Sequence, residues 1–363
     1  MSLKKDKILL LLTGLVVALF STLLVYFGNP GNMGFCIACF IRDIAGSVKL
    51  HSTQTVQYMR PEIIGLVLGS FAISLITGEF RPRGGSSPFL RFAIGFIVAV
   101  GALVFLGCPL RMVLRLSAGD LNAFVGLIGF ILGIFTGCLF LNAGFSLGRA
   151  EKQNALEGSA ISLINIVFFV ILIAFPSILA FSTSGPGSMR APVFLSLLAG
   201  LAVGACAQKS RMCFAGGIRD TFLIKDFTLL FALLSVFIFN LVFSLLTGTF
   251  KLGFSSQSVA HQAQLWNLLG LYAVGFGSVL IGGCPLRQLI LAGEGNSDSA
   301  ISTLGFFIGA AFAHNFSLAS SAASAESIGG PSLRGKVVLI ILIAVLFLIA
   351  ATVTIKNRRK ENE

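Results

Sequence analysis

The sequence predicts an all-helical polytopic membrane protein, with about ten transmembrane helices in two inverted repeats that carry short re-entrant helices. Three observations predict it: an apolar composition, a regular series of long apolar runs, and a set of motifs that recurs halfway along the chain. Of 363 residues, 56% are hydrophobic and only 11% charged, and the mean hydropathy is +0.94. A soluble domain is nearer one quarter charged. So much apolar surface at this length needs lipid as its solvent. The single Trp and three Tyr against 35 Phe leave a thin interfacial aromatic belt.

A transmembrane helix needs about 20 mostly apolar residues. The segments that qualify are 8–27, 61–79, 90–106, 121–142, 160–181, 191–206, 226–248, 265–282, 300–317 and 335–355. The first follows Lys4, Lys5 and Lys7. It is longer than the apolar core of a signal peptide and lacks a small-residue cleavage site, so it reads as a span. An even number of spans puts both termini on one side. Both are basic, the second through Lys356, Arg358, Arg359 and Lys360, which places them in the cytoplasm. Arg81, Arg83, Arg149, Lys152, Lys209, Arg211, Arg219 and Lys225 then fall on the same side. Arg42, Lys49 and Arg60 fall outside and do not fit the rule. The net charge of +12 is thus explained by membrane topology, with attraction of anions as a second use, and nucleic acid is not an expected partner.

The internal repeat is the most informative feature. Cys36-Ile37-Ala38-Cys39-Phe40-Ile41-Arg42-Asp43 resembles Cys213-Phe214-Ala215-Gly216-Gly217-Ile218-Arg219-Asp220. Gly107-Cys108-Pro109-Leu110-Arg111 recurs as Gly283-Cys284-Pro285-Leu286-Arg287. Gly129 and Gly133 map to Gly305 and Gly309, and Thr77-Gly78 to Thr247-Gly248. Equivalent points are separated by five spans, and an odd number reverses orientation. The halves, 1–159 and 160–363, therefore face opposite ways, a plan that suits transporters and channels.

Each half has two interrupted segments. Pro109 and Pro285 suit the first turn of a new helix, making Cys108 and Cys284 N-cap-like and predicting a short re-entrant helix after each. Broken backbone at membrane depth is tolerated where it lines a cavity, and the positive end of a helix dipole then faces the cavity's occupant. An anion fits. Cys36, Cys108, Cys213 and Cys284 are the candidate path residues, with packing as the alternative for each. Cys39 has Gly216 as its counterpart and is a weaker candidate; Cys138 and Cys206 read as packing. Arg42 and Arg219, each followed by Asp, read as ion pairs that brace a bend. Arg111 and Arg287 either snorkel to the interface or meet an anion at a vestibule. Asp120, Glu294 and Asp298 read as loop-end acids, with proton coupling as the alternative.

Cys36 and Cys39 also invite a redox reading, a membrane thiol-disulfide oxidoreductase, but no thioredoxin-like unit accompanies them. The three His are dispersed and no metal-binding spacing is present. No phosphate loop or hydrolase motif appears, so neither cofactor nor enzyme activity is expected.

The paired motifs in a duplicated bundle resemble those of the YeeE/YedE sulfur-transport family. The resemblance covers roughly 30–317. It implies uptake of a sulfur-containing anion, thiosulfate in the best-known members, across a bacterial inner membrane. It also implies an hourglass shape and a constriction where cysteines pass the substrate by S–H···S contacts. Carried over by motif, those are Cys108 and Cys284, with Cys36 and its mate Cys213. The chain also resembles the YedE branch associated with selenium metabolism, which implies a selenium compound as cargo. A small sulfur carrier of the TusA type is the soluble partner that the resemblance suggests.

Overall fold

A computed structural model describes residues 2–362. The side chains of Lys4 and Lys5, part of the basic N-terminus, lie outside the described set. Fourteen α-helices form among the described residues. The first seven are α1 (Ser2–Tyr26), α2 (Ile37–Ser47), α3 (Pro61–Ile76), α4 (Pro88–Phe105), α5 (Pro109–Ser117), α6 (Leu121–Asn142) and α7 (Ala155–Ala174). The second seven are α8 (Val193–Lys209), α9 (Phe214–Ile224), α10 (Leu230–Leu246), α11 (Gln264–Leu280), α12 (Pro285–Gly293), α13 (Ser297–Asn315) and α14 (Leu333–Asn362). A two-residue antiparallel pair, Arg83–Gly84 with Glu151–Lys152, ties two loops of the first set.

Each of the ten apolar segments is helical, but the count of ten spans is not reached on length and apolarity. Seven stretches are long and apolar enough to cross a membrane. The helices α3 and α10 are apolar but only 16 and 17 residues long, about 24–26 Å at 1.5 Å per residue, less than a typical bilayer core. The 19-residue α13 is diluted by Asp298 and His314. Three of the seven stretches contain a break: α4 runs on into α5, α8 into α9, and α11 into α12.

The helices pack in exchanged pairs. α1 packs on α10 and α3 on α8; α4 packs on α13 and α6 on α11. Swapping the two sets of seven converts each pair into its mate. Small residues let the backbones touch. A Cβ on Gly129 or Gly133 would collide with the carbonyls of Leu268 and Tyr272, and one on Gly305 or Gly309 would press on those of Phe92 and Phe96. The helices of each such pair run parallel. By contrast, α1 and α8 run antiparallel: Gly28 meets Arg190 at one end, and Thr13 bonds the Cys206 carbonyl further along. α4 and α11 are also antiparallel, with Gly101 on Gly270 and Val98 near Gly277. Equivalent helices of the two sets therefore run in opposite directions. The outermost helices break the symmetry, since α7 packs on α3 and α12 whereas α14 packs on α11 and α4.

Candidate functional site

Short helices begin at all four cysteine motifs. Their first residues are fixed by local sequence. Pro109 and Pro285 occupy the first helical turn, and Cys108 and Cys284 are the N-caps with extended backbone. Cys36 and Cys213 are N-caps of the other two, with nearly the same backbone angles, φ −147°, ψ 106° and φ −153°, ψ 116°. Helix N-termini leave unpaired N–H groups, and here thiolic sulfur receives them where a hydroxyl or carboxylate usually does. Cys36 Sγ accepts from the Cys39 N–H at 3.4 Å and Cys213 Sγ from the Gly216 N–H at 3.2 Å.

The four helices meet in two pairs. Cys108 Sγ accepts from the Ile37 N–H at 3.3 Å, joining the starts of α2 and α5. In the second half the Cys284 N–H donates to Cys213 Sγ at 3.5 Å, and the two sulfurs are 3.8 Å apart. All four thiols are free and buried. Ala38, two residues past Cys36, and Pro285, one past Cys284, line one small apolar void of about 10 Å³ with Val98, Ala102 and Phe306. In each half the positive ends of two helix dipoles thus meet at polarisable sulfur, an arrangement that favours a negatively charged, soft guest.

Cys39 is buried with its sulfur 4.0 Å from an Arg111 nitrogen. Cys138 sits on the Arg219 carbonyl and Cys206 is half-buried, both away from the helix starts. Arg42 pairs with Asp43 at 2.7 Å, and Arg219 with Asp220 at 2.8 Å. The first pair is a triad, because Arg60 donates to the other Asp43 oxygen at 2.7 Å. Arg42 and Arg60, which the sequence-based topology leaves outside the charge rule, are both withdrawn from solvent and share a carboxylate.

Arg111 and Arg287 are both buried within the protein, 0% and 8% exposed. Arg287 is matched by Glu294 at 3.0 Å. Among the described residues Arg111 has no carboxylate partner. It donates instead to the carbonyls of Leu106, Asn32, Ser258 and Val259. Asp120 caps α6 and pairs with Arg115 at 2.6 Å, while Asp298 accepts from the Gly85 and Ser86 N–H groups and faces Arg91. These acids serve helix ends and loops. Arg60 stood out in the sequence only by its charge, and Arg115 and Arg91 not at all, because no motif links them to Asp43, Asp120 and Asp298.

Residues 209–363 match the family model described as Sulphur transport, a segment holding the whole second set of motifs. The chain is 29% identical over 126 residues to the Thiosulfate transporter TsuA of Escherichia coli, covering 33% of this chain and 34% of that protein. It is 30% identical over 118 residues to the Thiosulfate transporter TsuA of Spirochaeta thermophila, covering 32% and 35%. The chain thus matches about a third of the length of these relatives. The sulfur-transport resemblance carried by the motifs is met independently by these matches, and the apolar helices make the chain a multi-pass membrane protein.

Proposed function

We propose that this protein carries a small sulfur-containing anion of the thiosulfate class across a membrane, past Cys36 and Cys108 in one half and Cys213 and Cys284 in the other. The observation that supports this most is the meeting of four helix N-termini at two thiol pairs related by the exchange of the two helix sets. A soft terminal sulfur on an oxyanion suits both features: the thiols offer S–H contacts, and the helix dipoles offset the charge. Arg111 adds fixed positive charge behind the second motif of the first half, whereas Arg287 is paired with Glu294. The relatives' names point to the same substrate class.

In this reading the two sets of seven helices, α1–α7 and α8–α14, act as two inverted half-paths. The membrane is the bacterial inner membrane and both termini are cytoplasmic. Glu79 and Lys209 pair where α3 and α8 finish, and Arg83, four residues past Glu79, pairs along the backbone with Lys152; the positive-inside rule favours that end as the cytoplasmic one. There a TusA-like carrier would receive the sulfur compound. No chemical step is required of the protein, so it acts as a transporter and not as an enzyme. Selenium analogues fit the same soft site.

Uptake of radiolabelled thiosulfate into proteoliposomes tests the reading. Cys108→Ala and Cys284→Ala should each abolish flux while the purified protein remains folded. Normal uptake by both variants would remove the thiols from the path. Selenite and selenosulfate, run in parallel, decide whether the cargo is a selenium compound; no uptake of any of the three by folded protein would refute transport of this anion class.

A further inference from the structure

The two ends of the molecule differ at positions where the repeat would make them alike. Thr77-Gly78 and Thr247-Gly248 close α3 and α10 in the same manner. Glu79 and Thr249 both donate their N–H to the carbonyl of an equivalent serine, Ser74 and Ser244. Phe80 and Phe250 repeat that bond. Glu79 and Thr249 are therefore structural equivalents. At the α3 end the Glu79 carboxylate holds Gln208 at 2.7 Å and Lys209 at 3.0 Å. At the α10 end a threonine stands in its place. A second carboxylate is missing from the same end. Glu294, the partner of Arg287, has Ala118 at its equivalent position, and Arg111 is left with carbonyls alone.

Where the carboxylates are missing there is a cavity. It has a volume of about 270 Å³ and lies between the ends of α1 and α10, with Asn32, Thr247, Thr249, Lys251, Gln257 and Ser258 in its wall. Lys251 is exposed and, among the described residues, forms no ion pair. Arg111 clamps two segments of that wall, through the carbonyls of Asn32 and Ser258, and its other side approaches the Cys39 sulfur. The stretch from Asn32 to Cys36 is all the chain that separates the cavity lining from the first thiol pair. Thr247, Thr249 and Gln257 already donate to backbone carbonyls; the side chains of Asn32, Ser258 and Lys251, in a wall without a carboxylate, form a setting for a tetrahedral oxyanion.

We infer that this cavity is a docking subsite for a sulfur oxyanion, occupied before the anion reaches Cys36 and Cys108, and that it exists at one end only. The inference rests on the transport reading for the anion's destination. In the proposed topology this end faces away from the cytoplasm, so anions are gathered outside and meet a carboxylate-bearing end inside.

Isothermal titration of the full-length protein in detergent with thiosulfate and with sulfate tests the subsite. Thr249→Glu restores the missing carboxylate and Lys251→Met removes the cation; each should weaken binding at least about tenfold, the scale of one nearby charge partly screened by water. Lys251→Arg should restore affinity, which a merely structural role would not require, and unchanged elution volume and melting temperature would establish that each variant is folded. Wild-type affinity in both weakened variants, or no binding by the wild type, would overturn the subsite. So would competition in which short-chain phosphatidylglycerol fully displaces both anions at low micromolar concentration, because the cavity would then be a lipid-headgroup site. Intact binding of this pattern without uptake in proteoliposomes would leave the subsite standing and refute the transport reading.

Discussion

The sulfurs of Cys213 and Cys284 lie 3.8 Å apart, and the Cys284 N–H points at Cys213 Sγ from 3.5 Å. Two helices thus begin on one shared sulfur. In the first half the direction is reversed: the Ile37 N–H at the start of α2 points at Cys108 Sγ at the start of α5, and Cys36 Sγ accepts from the Cys39 N–H alone. A thiol is a poorer acceptor than the hydroxyl of Ser or Thr. At Cys36 and Cys213 a hydroxyl would improve the cap, so sulfur at both of these repeat-related positions argues for a use in which polarisability matters.

That use separates the cysteines. Cys213→Ala should lower thiosulfate uptake by more than about tenfold, the loss of roughly 1.4 kcal/mol of contact along the path. Cys138→Ala and Cys206→Ala should stay near the wild type, because neither lies at the start of a short helix. Equal losses in all three, measured at matched protein content in proteoliposomes, would show that the effect is one of general packing.

The glycine stripes bear on stability. Gly133 and Gly309 each sit where a neighbouring helix presents a carbonyl, Tyr272 for the first and Phe96 for the second. Gly133→Leu and Gly309→Leu should each separate a helix pair and cost at least about 1–3 kcal/mol, the usual range for overpacking. Thermal unfolding in detergent should show comparable drops for the two, as they are equivalent across the repeat. A drop in one alone would mean that the two interfaces differ in how they yield.

Leu106 carries backbone strain. It sits in the left-handed region at φ 62° and closes α4 just before Cys108, and its equivalent at the end of α11 is Gly282 at φ 86°. A leucine there is held against its preference by the surrounding packing. Leu106→Gly should relieve part of that strain, offset by the lost burial of a side chain that is 4% exposed. Gly282→Leu has no compensating pocket: nothing lies within 4 Å of a Cβ at that position. It should therefore be destabilised by about 1 kcal/mol or more from backbone conformation alone. Melting temperatures of the two variants check the contrast, and an unaffected Gly282→Leu would dismiss the strain.

Much of this architecture is legible in the sequence because it is carried by local signals. Apolar runs mark the helices, Pro109 and Pro285 mark the starts of short ones, and the recurrence of Cys-Pro-Leu-Arg marks the two sets. The reversal of direction follows from counting spans, and the contacts of Gly101 with Gly270 and of Gly277 with Val98, which set α4 and α11 antiparallel, agree with it. The number of full spans was less legible, because hydropathy measures apolarity and not the length left after a helix is capped: α3 stops at Ile76 and α10 at Leu246. The electrostatics were least legible. Asp43 is adjacent to Arg42 in sequence, but its second partner, Arg60, arrives from the loop before α3. The lone state of Arg111 depends on an alanine, Ala118, standing where the other half has an acid, and nothing in a motif search weighs an absence.

His261 gives a pH dependence with a definite sign. It lies in the loop before α11, fully buried, with Nε2 on the Val104 carbonyl at 2.8 Å and Nδ1 accepting from the Ala263 N–H at 3.3 Å. One nitrogen must donate and the other must accept, so the ring is neutral in this arrangement. Burial pushes its pKa down to about 4, opposed by the hydrogen bond to the Val104 carbonyl and reinforced by the nearby Arg115 charge. The unfolded chain titrates near 6.5. Between these values the unfolded state holds a proton that the folded state does not, so stability falls as pH falls. The loss begins near pH 6.5 and levels off near pH 4. His261→Asn removes the titrating group while keeping polar atoms in the loop. Its melting temperature should be lower than the wild type's at pH 7.5, where the native contacts are intact, and should decline less steeply from pH 7 to pH 4.5. The difference between the two slopes isolates His261 from the acids, which titrate in both proteins. Parallel slopes would mean that the ring stays uncoupled from unfolding.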